Sequence, residues 1–285
     1  MKNGNAKSIR TVLKNIADRE KIDFQFIIIR YLHERLLYRI ANSTYVNNFF
    51  LKGGTLLYAI EGLHTRPTMD IDILARFIAS DKDILKNIFK DICSVVYKDD
   101  CVIFDAANIT VTDIAEEKKY SGIRLLIKAE FDTIKESLQV DIGFGDIITP
   151  APVIISYPTL LRELNPPDIM VYSIETIIAE KFHAMIAMGV FNSRMKDFYD
   201  VYILLKNNKI ENKILRDAIL QTFRHRETGF IENHELFTSS FHEDKNRQMM
   251  WKAFLRKIKH TESLDFSVVL TSITNNLFPI YLELR

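Results

Sequence analysis

The sequence is poor in the residues that staple or interrupt a chain. It has 2 cysteines, 9 glycines and 7 prolines in 285 residues. Cys93 and Cys101 have neither the spacing of a metal site nor the number for a disulfide framework, which fits a reducing compartment. The scarcity of glycine and proline argues against a loop-rich fold. Long apolar runs are also missing. Phe24–Ile29 and Phe49–Leu51 are far short of the ~18 residues that a membrane span needs. The segment Met1–Asp18 is polar and carries no apolar core of a secretory signal. A cytoplasmic protein with no membrane partner is expected. Net charge is lacking as well: 38 Lys and Arg stand against 37 Asp and Glu. Global charge therefore selects no partner. A chain of this length buries roughly three-quarters of the surface of its unfolded form, so the core needs no staple.

What is present is unevenly placed. Residues 1–40 carry nine basic against four acidic side chains, 61–150 eleven against seventeen, and 181–226 nine against four. An acidic middle between basic flanks suits a metal-binding centre beside an anion-binding rim, or simply solvated faces. Apolar spacing predicts helix through residues 6–41, with Ile9, Leu13, Ile16, Phe26, Ile29, Leu32, Leu36 and Ile40 on one stripe. A short apolar run ends at Gly53-Gly54, and Thr55 is a candidate cap for a following helix. Met69–Leu74 alternates as a strand, and Ser80–Val96 reads as a helix. Cys101–Ile114, Gly122–Phe131 and Ser137–Phe144 read as strands. Five of the seven prolines fall between 150 and 167, a stretch expected to resist regular structure and to hold a domain boundary. Helices are expected over Ser173–Met188, Asp197–Lys206, Lys213–His225 and Arg247–Lys259. The expected fold is α/β, a core with a mixed β-sheet followed by a mostly helical C-terminal domain. The expected divisions are 1–44, 45–157 and 158–285.

One constellation carries chemistry. Asp70 and Asp72 lie two apart on a strand and project from one face. Paired carboxylates repel unless a cation lies between them, and hard oxygen donors on a rigid strand suit Mg²⁺. Gly53-Gly54 offers backbone N–H groups close to a helix N-terminus, which suits phosphate. Asp141, on a later strand between apolar neighbours, is a third carboxylate if the strands adjoin. Three such groups suit two-metal phosphoryl or nucleotidyl transfer. Asp146 is a weaker candidate for the third position.

Together, Lys52-Gly-Gly-Thr-Leu-Leu-Tyr58 and Arg66-Pro-Thr-Met-Asp-Ile-Asp-Ile73 resemble the first motif of the nucleotidyltransferase superfamily, and more closely the AbiEii/AbiGii toxin family. Val140-Asp-Ile-Gly-Phe-Gly-Asp146, the stretch Ser173–Ala184 around Lys181, and Arg194-Met-Lys-Asp-Phe-Tyr-Asp-Val-Tyr202 match in place and order. The resemblance covers roughly residues 45–206. It implies a minimal nucleotidyltransferase core completed by a helical C-terminal part, and a toxin of an abortive-infection toxin–antitoxin pair. It implies transfer of NMP from an NTP to RNA, with the tRNA 3′ end as the expected acceptor. A cognate antitoxin is expected, with no need for a stable complex.

On that resemblance Gly53, Gly54 and Thr55 hold the NTP phosphates, while Asp70, Asp72 and Asp141 bind Mg²⁺ or Mn²⁺. Asp141 is expected to activate the incoming hydroxyl. Lys181 meets triphosphate charge, and Asp197 joins the catalytic set. Arg66, Arg194, Lys196 and Asp200 are expected at the substrate, with Asp200 a possible brace for Arg194 or Lys196. His64, His183 and His225 have no metal spacing and read as structural or surface groups. Tyr199 and Tyr202 read as core. An RNA acceptor needs positive surface, for which Lys206, Lys209, Lys213, Arg216, Arg224, Arg226, Lys252, Arg256, Lys257 and Lys259 are available. The same core is compatible with a protein hydroxyl or a small molecule such as an aminoglycoside as acceptor. It is also compatible with a non-catalytic nucleotide-binding protein.

Overall fold

The computed structural model describes residues 3–114, 122–260 and 262–285. Contacts divide the chain into two compact units: residues up to 146 with 153–171, and residues 147–152 with 172–285.

The first unit opens with helix α1, Asn3–Glu20, and helix α2, Phe24–Ala41. The single apolar stripe expected over 6–41 is thus two helices. Lys21 takes a left-handed φ of 55°, and the Asp23 carboxylate accepts the Gln25 N–H to cap α2. Apolar periodicity does not register such a break, because the stripe can resume on the next helix.

Helix α2 is buried on nearly every side, polar residues included. Buried charge is costly unless paired, and here it is paired. Arg39 forms a two-armed ion pair with Asp100, and Arg35 meets Glu34 at 3.1 Å. Glu34 also accepts the Leu160 N–H at 2.8 Å.

His33 and Glu34 pull the pH dependence of stability in opposite directions. Burial holds the His33 imidazole down to about 4, and burial raises the Glu34 carboxyl to about 7. The folded state keeps the Glu34 proton that the unfolded chain releases, so this group costs stability as pH rises from 4.5 toward 7. The unfolded chain takes up the His33 proton first, so this group costs stability as pH falls from 6.5 toward 4. Between 4.5 and 6.5 the two slopes oppose each other. Glu34→Gln is expected to make the urea midpoint rise more steeply with pH over that window, and His33→Gln to make it fall. Midpoints that run parallel to wild type in both variants would contradict this assignment.

The sheet follows. Strand β1 is Phe49–Lys52, helix α3 Gly53–Glu61, strand β2 Asp70–Ala75 and helix α4 Lys82–Cys93. Strands β3 Val102–Phe104, β4 Thr110–Ile114, β5 Gly122–Phe131, β6 Ile134–Phe144, β7 Val153–Ser156 and β8 Asp168–Val171 complete it. Their spatial order is β3-β5-β6-β2-β1-β8-β7, with β4 also paired to β5. The sheet is mixed, as expected: β2 runs parallel to β6 and antiparallel to β1, while β8 runs parallel to β1. A two-residue turn, Asp132-Thr133, joins β5 to β6 and sets their register. Ile123, Leu125, Ile127, Ala129 and Phe131 face the core, so the intervening residues of β5 face outward. Tyr31 of α2 packs on Phe131 with ring centroids 5.1 Å apart.

Two expectations change here. The stretch Cys101–Ile114 is two strands rather than one, because Asp105 accepts the N–H groups of Ala107 and Asn108 and turns the chain. The proline-rich stretch is not irregular throughout: β7 lies within it and pairs antiparallel with β8, which directly follows it, with the prolines outside the paired residues.

The second unit is helical among its described residues. Helices α5 Ile174–Met188, α6 Met195–Asn207, α7 Asn212–His225, α8 Ser239–Glu243, α9 Lys245–Lys257 and α10 Phe266–Tyr281 surround an aromatic core. Ser173 caps α5 through the Thr176 N–H. Phe182 meets Phe223 and Tyr281, and Trp251 meets Phe266. Tyr199 is buried against Phe254, as its core reading requires, whereas Tyr202 is half-buried beneath Lys206. Helix α10 lies beyond the helices expected from the sequence, although Phe266, Val269, Leu270, Ile273 and Leu277 repeat at helical spacing. Both cysteines are free thiols, and no described helix is long and apolar enough to cross a membrane.

Candidate active site

The end of β1 runs straight into α3, with Lys52 extended and Gly53 already helical. Gly53 has φ 66°, and a Cβ there would stand 1.9 Å from Asp72 Oδ2. A Cβ on Gly54 would meet the Thr68 side chain at 2.7 Å. Glycine is therefore required twice over at Gly53, by backbone conformation and by the close approach of a carboxylate. Gly53→Ala is expected to cost about 1–2 kcal/mol of stability through backbone strain. It is also expected to displace Asp72 and reduce nucleotidyl transfer by at least about tenfold, since small misplacements at a reacting centre are costly. Urea unfolding and turnover of labelled NTP measure the two effects separately, and full activity would contradict the claim that this contact sets the position of Asp72.

Thr55 is not the helix cap. The left-handed Gly53 lets α3 begin three residues earlier, after Lys52, which leaves Thr55 buried within the first turn. Its Oγ1 donates to the Asp70 backbone carbonyl at 2.9 Å and lies 3.4 Å from His33 Nδ1. The hydroxyl thus ties the helix to the strand that carries the paired acids.

Register then assembles a row of charges across four adjacent strands. Lys52 of β1 is opposite Asp72 of β2, Asp72 is opposite Asp141 of β6, and Asp141 is opposite Arg124 of β5. Asp70 lies two residues before Asp72 on the same face and accepts the Thr68 hydroxyl at 2.5 Å. One oxygen from each of Asp70, Asp72 and Asp141 falls within 4.8 Å of the others, and all three residues are half-buried. Three carboxylates this close repel each other, and a small hard dication with oxygen ligands is the group that such a donor set fits.

Asp146 does not join them. Its Oδ2 takes the Lys52 ammonium at 2.8 Å, which leaves Asp141 as the third carboxylate of the cluster. Asp141 is gripped from its other side by Arg124, with Nε donating to Oδ1 at 2.8 Å and Nη2 to Oδ2 at 2.8 Å. Gln139 Nε2 adds a third donor to Oδ2 at 3.1 Å. The bond to Asp141 raises the pKa of the Arg124 guanidinium, helped by the charges of Asp70 and Asp72. Sequence reasoning missed Arg124, Thr68 and His33. A signal for Arg124 existed, because it is a cation on the outward face of an alternating strand whose register follows from the Asp132-Thr133 turn.

In the second unit a different cluster forms. Lys181 of α5 lies 2.7 Å from Asp197 Oδ1 and 2.8 Å from Asp200 Oδ2, both on α6. Arg194 Nε reaches Asp197 Oδ2 at 2.8 Å. Asp197, not Asp200, therefore braces Arg194. Lys196 is exposed, and Arg66, in the first unit, is buried rather than solvated. His183 contacts Thr228 at 2.7 Å, in keeping with a structural role, and His64 is exposed beside Glu20. Arg216 pairs with Glu283 and Arg226 with Glu180, while Lys252, Arg256, Lys257 and Lys259 are exposed.

A glycine turn that opens a helix, beside three acids on neighbouring strands, defines the catalytic core of a nucleotidyltransferase. The chain belongs to the AbiEii family, described as nucleotidyl transferase AbiEii toxin of type IV toxin–antitoxin systems, whose model matches residues 35–272. It is a nucleotidyltransferase of that toxin family. Two solved structures share its fold. One is a candidate nucleotidyltransferase from H. pylori, with TM-score 0.54 and 15% identity over 92% of this chain and 97% of that one. The other is JHP933 from Helicobacter pylori, also with TM-score 0.54 and 15% identity, over 92% of this chain and 94% of that one. No curated protein matches the sequence.

Proposed function

We propose that this nucleotidyltransferase toxin transfers NMP from an NTP to an RNA acceptor, the tRNA 3′ end, and thereby blocks translation and growth. The observation that carries this reading is the convergence of Asp70, Asp72 and Asp141 within 4.8 Å beside the Gly53-Gly54 turn. The three carboxylates would hold Mg²⁺ or Mn²⁺. When bound, the dication supplies charge neutralisation at the triphosphate and a more acidic acceptor hydroxyl.

The chain's own groups do the rest. The first N–H groups of α3 face a helix start that the Lys52 side chain does not cap, and they suit phosphate oxygens. Thr55 fixes α3 against the Asp70 backbone, so the phosphate cradle and the acids keep one spacing. Asp141 is the carboxylate assigned to the acceptor hydroxyl. The hydroxyl oxygen attacks the α-phosphorus as its proton passes to the Asp141 carboxylate, the bond from the α-phosphorus to the bridging oxygen breaks, and pyrophosphate departs. The exposed cations Lys252, Arg256, Lys257 and Lys259 supply positive surface of the kind an RNA end requires. A cognate antitoxin is the partner that membership of the family implies, acting without need of a stable complex. The cytoplasm is where this substrate pair is available.

The test is to incubate the protein with Mg²⁺, each α-labelled NTP in turn and total bacterial RNA, beside the Asp72→Ala variant. Label in a tRNA-sized band, dependent on one NTP and absent in the variant, is expected. Label on protein, or on an added aminoglycoside, would replace the acceptor but keep the transferase. No label anywhere, with nucleotide still bound by calorimetry, would overturn the RNA reading.

A further inference from the structure

We propose that Arg124 is a positioning residue that withholds Asp141 from the metal in the free protein and releases it when a substrate phosphate takes over the guanidinium. This inference rests on the metal-dependent reading of the Asp70, Asp72 and Asp141 cluster.

The geometry is that of a carboxylate with most of its lone-pair directions taken. Arg124 donates to both oxygens of Asp141 through a parallel pair of 2.8 Å bonds, and Oδ2 takes a further bond from Gln139. A ligand oxygen needs a lone pair directed at the metal from ~2.1 Å, and Asp141 already directs three of its roughly four at N–H donors, both of those on Oδ2 included. The guanidinium also places a full positive charge at the edge of the site, which opposes a dication there. Both features favour two carboxylates over three as the nucleotide-free metal site.

The same guanidinium is suited to exchange. Its planar fork matches a phosphate as well as a carboxylate. Its side chain is 38% exposed, against 16% for Asp141, so it can turn toward a phosphate without unpacking the core. Its Cα is fixed by pairing on both sides, with Asp141 of β6 and with Thr112 of β4, so the movement is confined to the side chain. One positive charge then serves the acid before substrate arrives and the phosphate afterwards, which couples completion of the metal site to substrate binding.

Mn²⁺ titration of the full chain, followed by electron paramagnetic resonance with and without a non-hydrolysable NTP analogue, tests this. In wild type, Asp72→Asn is expected to weaken Mn²⁺ binding under both conditions, and Asp141→Asn only with the analogue. Arg124→Gln is expected to tighten nucleotide-free binding by about five- to tenfold, the size of one removed charge a few ångströms away. It should also make that binding sensitive to Asp141→Asn. Arg124→Lys keeps the charge and loses the fork, and should fall between. Arg124→Gln and Arg124→Lys with unchanged nucleotide-free affinity would overturn the proposal while leaving the metal site standing. So would Asp141→Asn weakening nucleotide-free binding as much as Asp72→Asn. Absence of Mn²⁺ binding by wild type with the analogue would overturn the metal reading and this inference together.

Discussion

Asp72→Ala is expected to lower nucleotidyl transfer by about a thousandfold or more while leaving the fold intact. Asp72 is the middle of the charge row, opposite Lys52 on one side and Asp141 on the other. The turn at Gly53 approaches it so closely that no side chain fits between them. Its removal takes away a central donor of the cluster and leaves Asp70 and Asp141 without the acid that links them in register. The stability effect has the opposite sign. Three carboxylates within 4.8 Å repel each other, so deletion of one relieves the metal-free protein. Urea unfolding without metal should give a midpoint equal to or slightly above wild type, beside near-complete loss of labelled product. Activity within tenfold of wild type would remove Asp72 from the reacting centre.

Lys181→Met is expected to cost about 3–5 kcal/mol of stability, the range for taking one partner from a buried ion pair. Lys181 lies between Asp197 and Asp200, whose side chains are 0% and 1% exposed. Arg194 still reaches Asp197, but the cation shared by the two acids is gone. Lys181→Arg should lose less, because it keeps the charge. The double variant Lys181→Met/Asp200→Asn separates support from chemistry. It removes one negative charge with the positive one and should recover a large part of the stability, read by far-ultraviolet circular dichroism in urea. Stability that returns without activity assigns Lys181 a role at the substrate. Activity that returns with stability assigns it to support of the helices alone.

Much of this protein can be read from local patterns. The glycine pair, the alternating Asp70-Ile71-Asp72-Ile73 and the helical stripes around Lys181 and Asp197 each follow from spacing within a few residues. A strand shows one face every second residue and a helix every third or fourth, so the pattern itself reports which side is buried. The mixed sheet, the helical second half, and the strand carrying the paired acids were legible for that reason. Charge inside α2 was not. Arg35 and Arg39 lie outside the apolar stripe predicted over 6–41, yet their partners Glu34, Asp100 and Asn165 make them core residues. The same limit hid β7 and β8, whose pairing defines them more than their composition does.

The amino-acid sequence by itself determined most of the elements, the glycine pair at the end of β1, the acids on β2, and the family that these residues identify. Only the tertiary structure decided which acid completes the cluster, because Asp141 and Asp146 are both aspartates only five residues apart. The parallel register of β2 with β6 sets Asp141 against Asp72, and Lys52 draws Asp146 away. Tertiary structure also placed Arg124 on Asp141, buried Thr55 beneath Asp70, and enclosed Asp197 and Asp200 around Lys181. The physical reason is common to all four. Which face a residue presents is a property of its neighbours along the chain. Which charge it meets there depends on strands and helices brought together from far apart, and burial fixes those pairs because unpaired charge in the interior is too costly to persist.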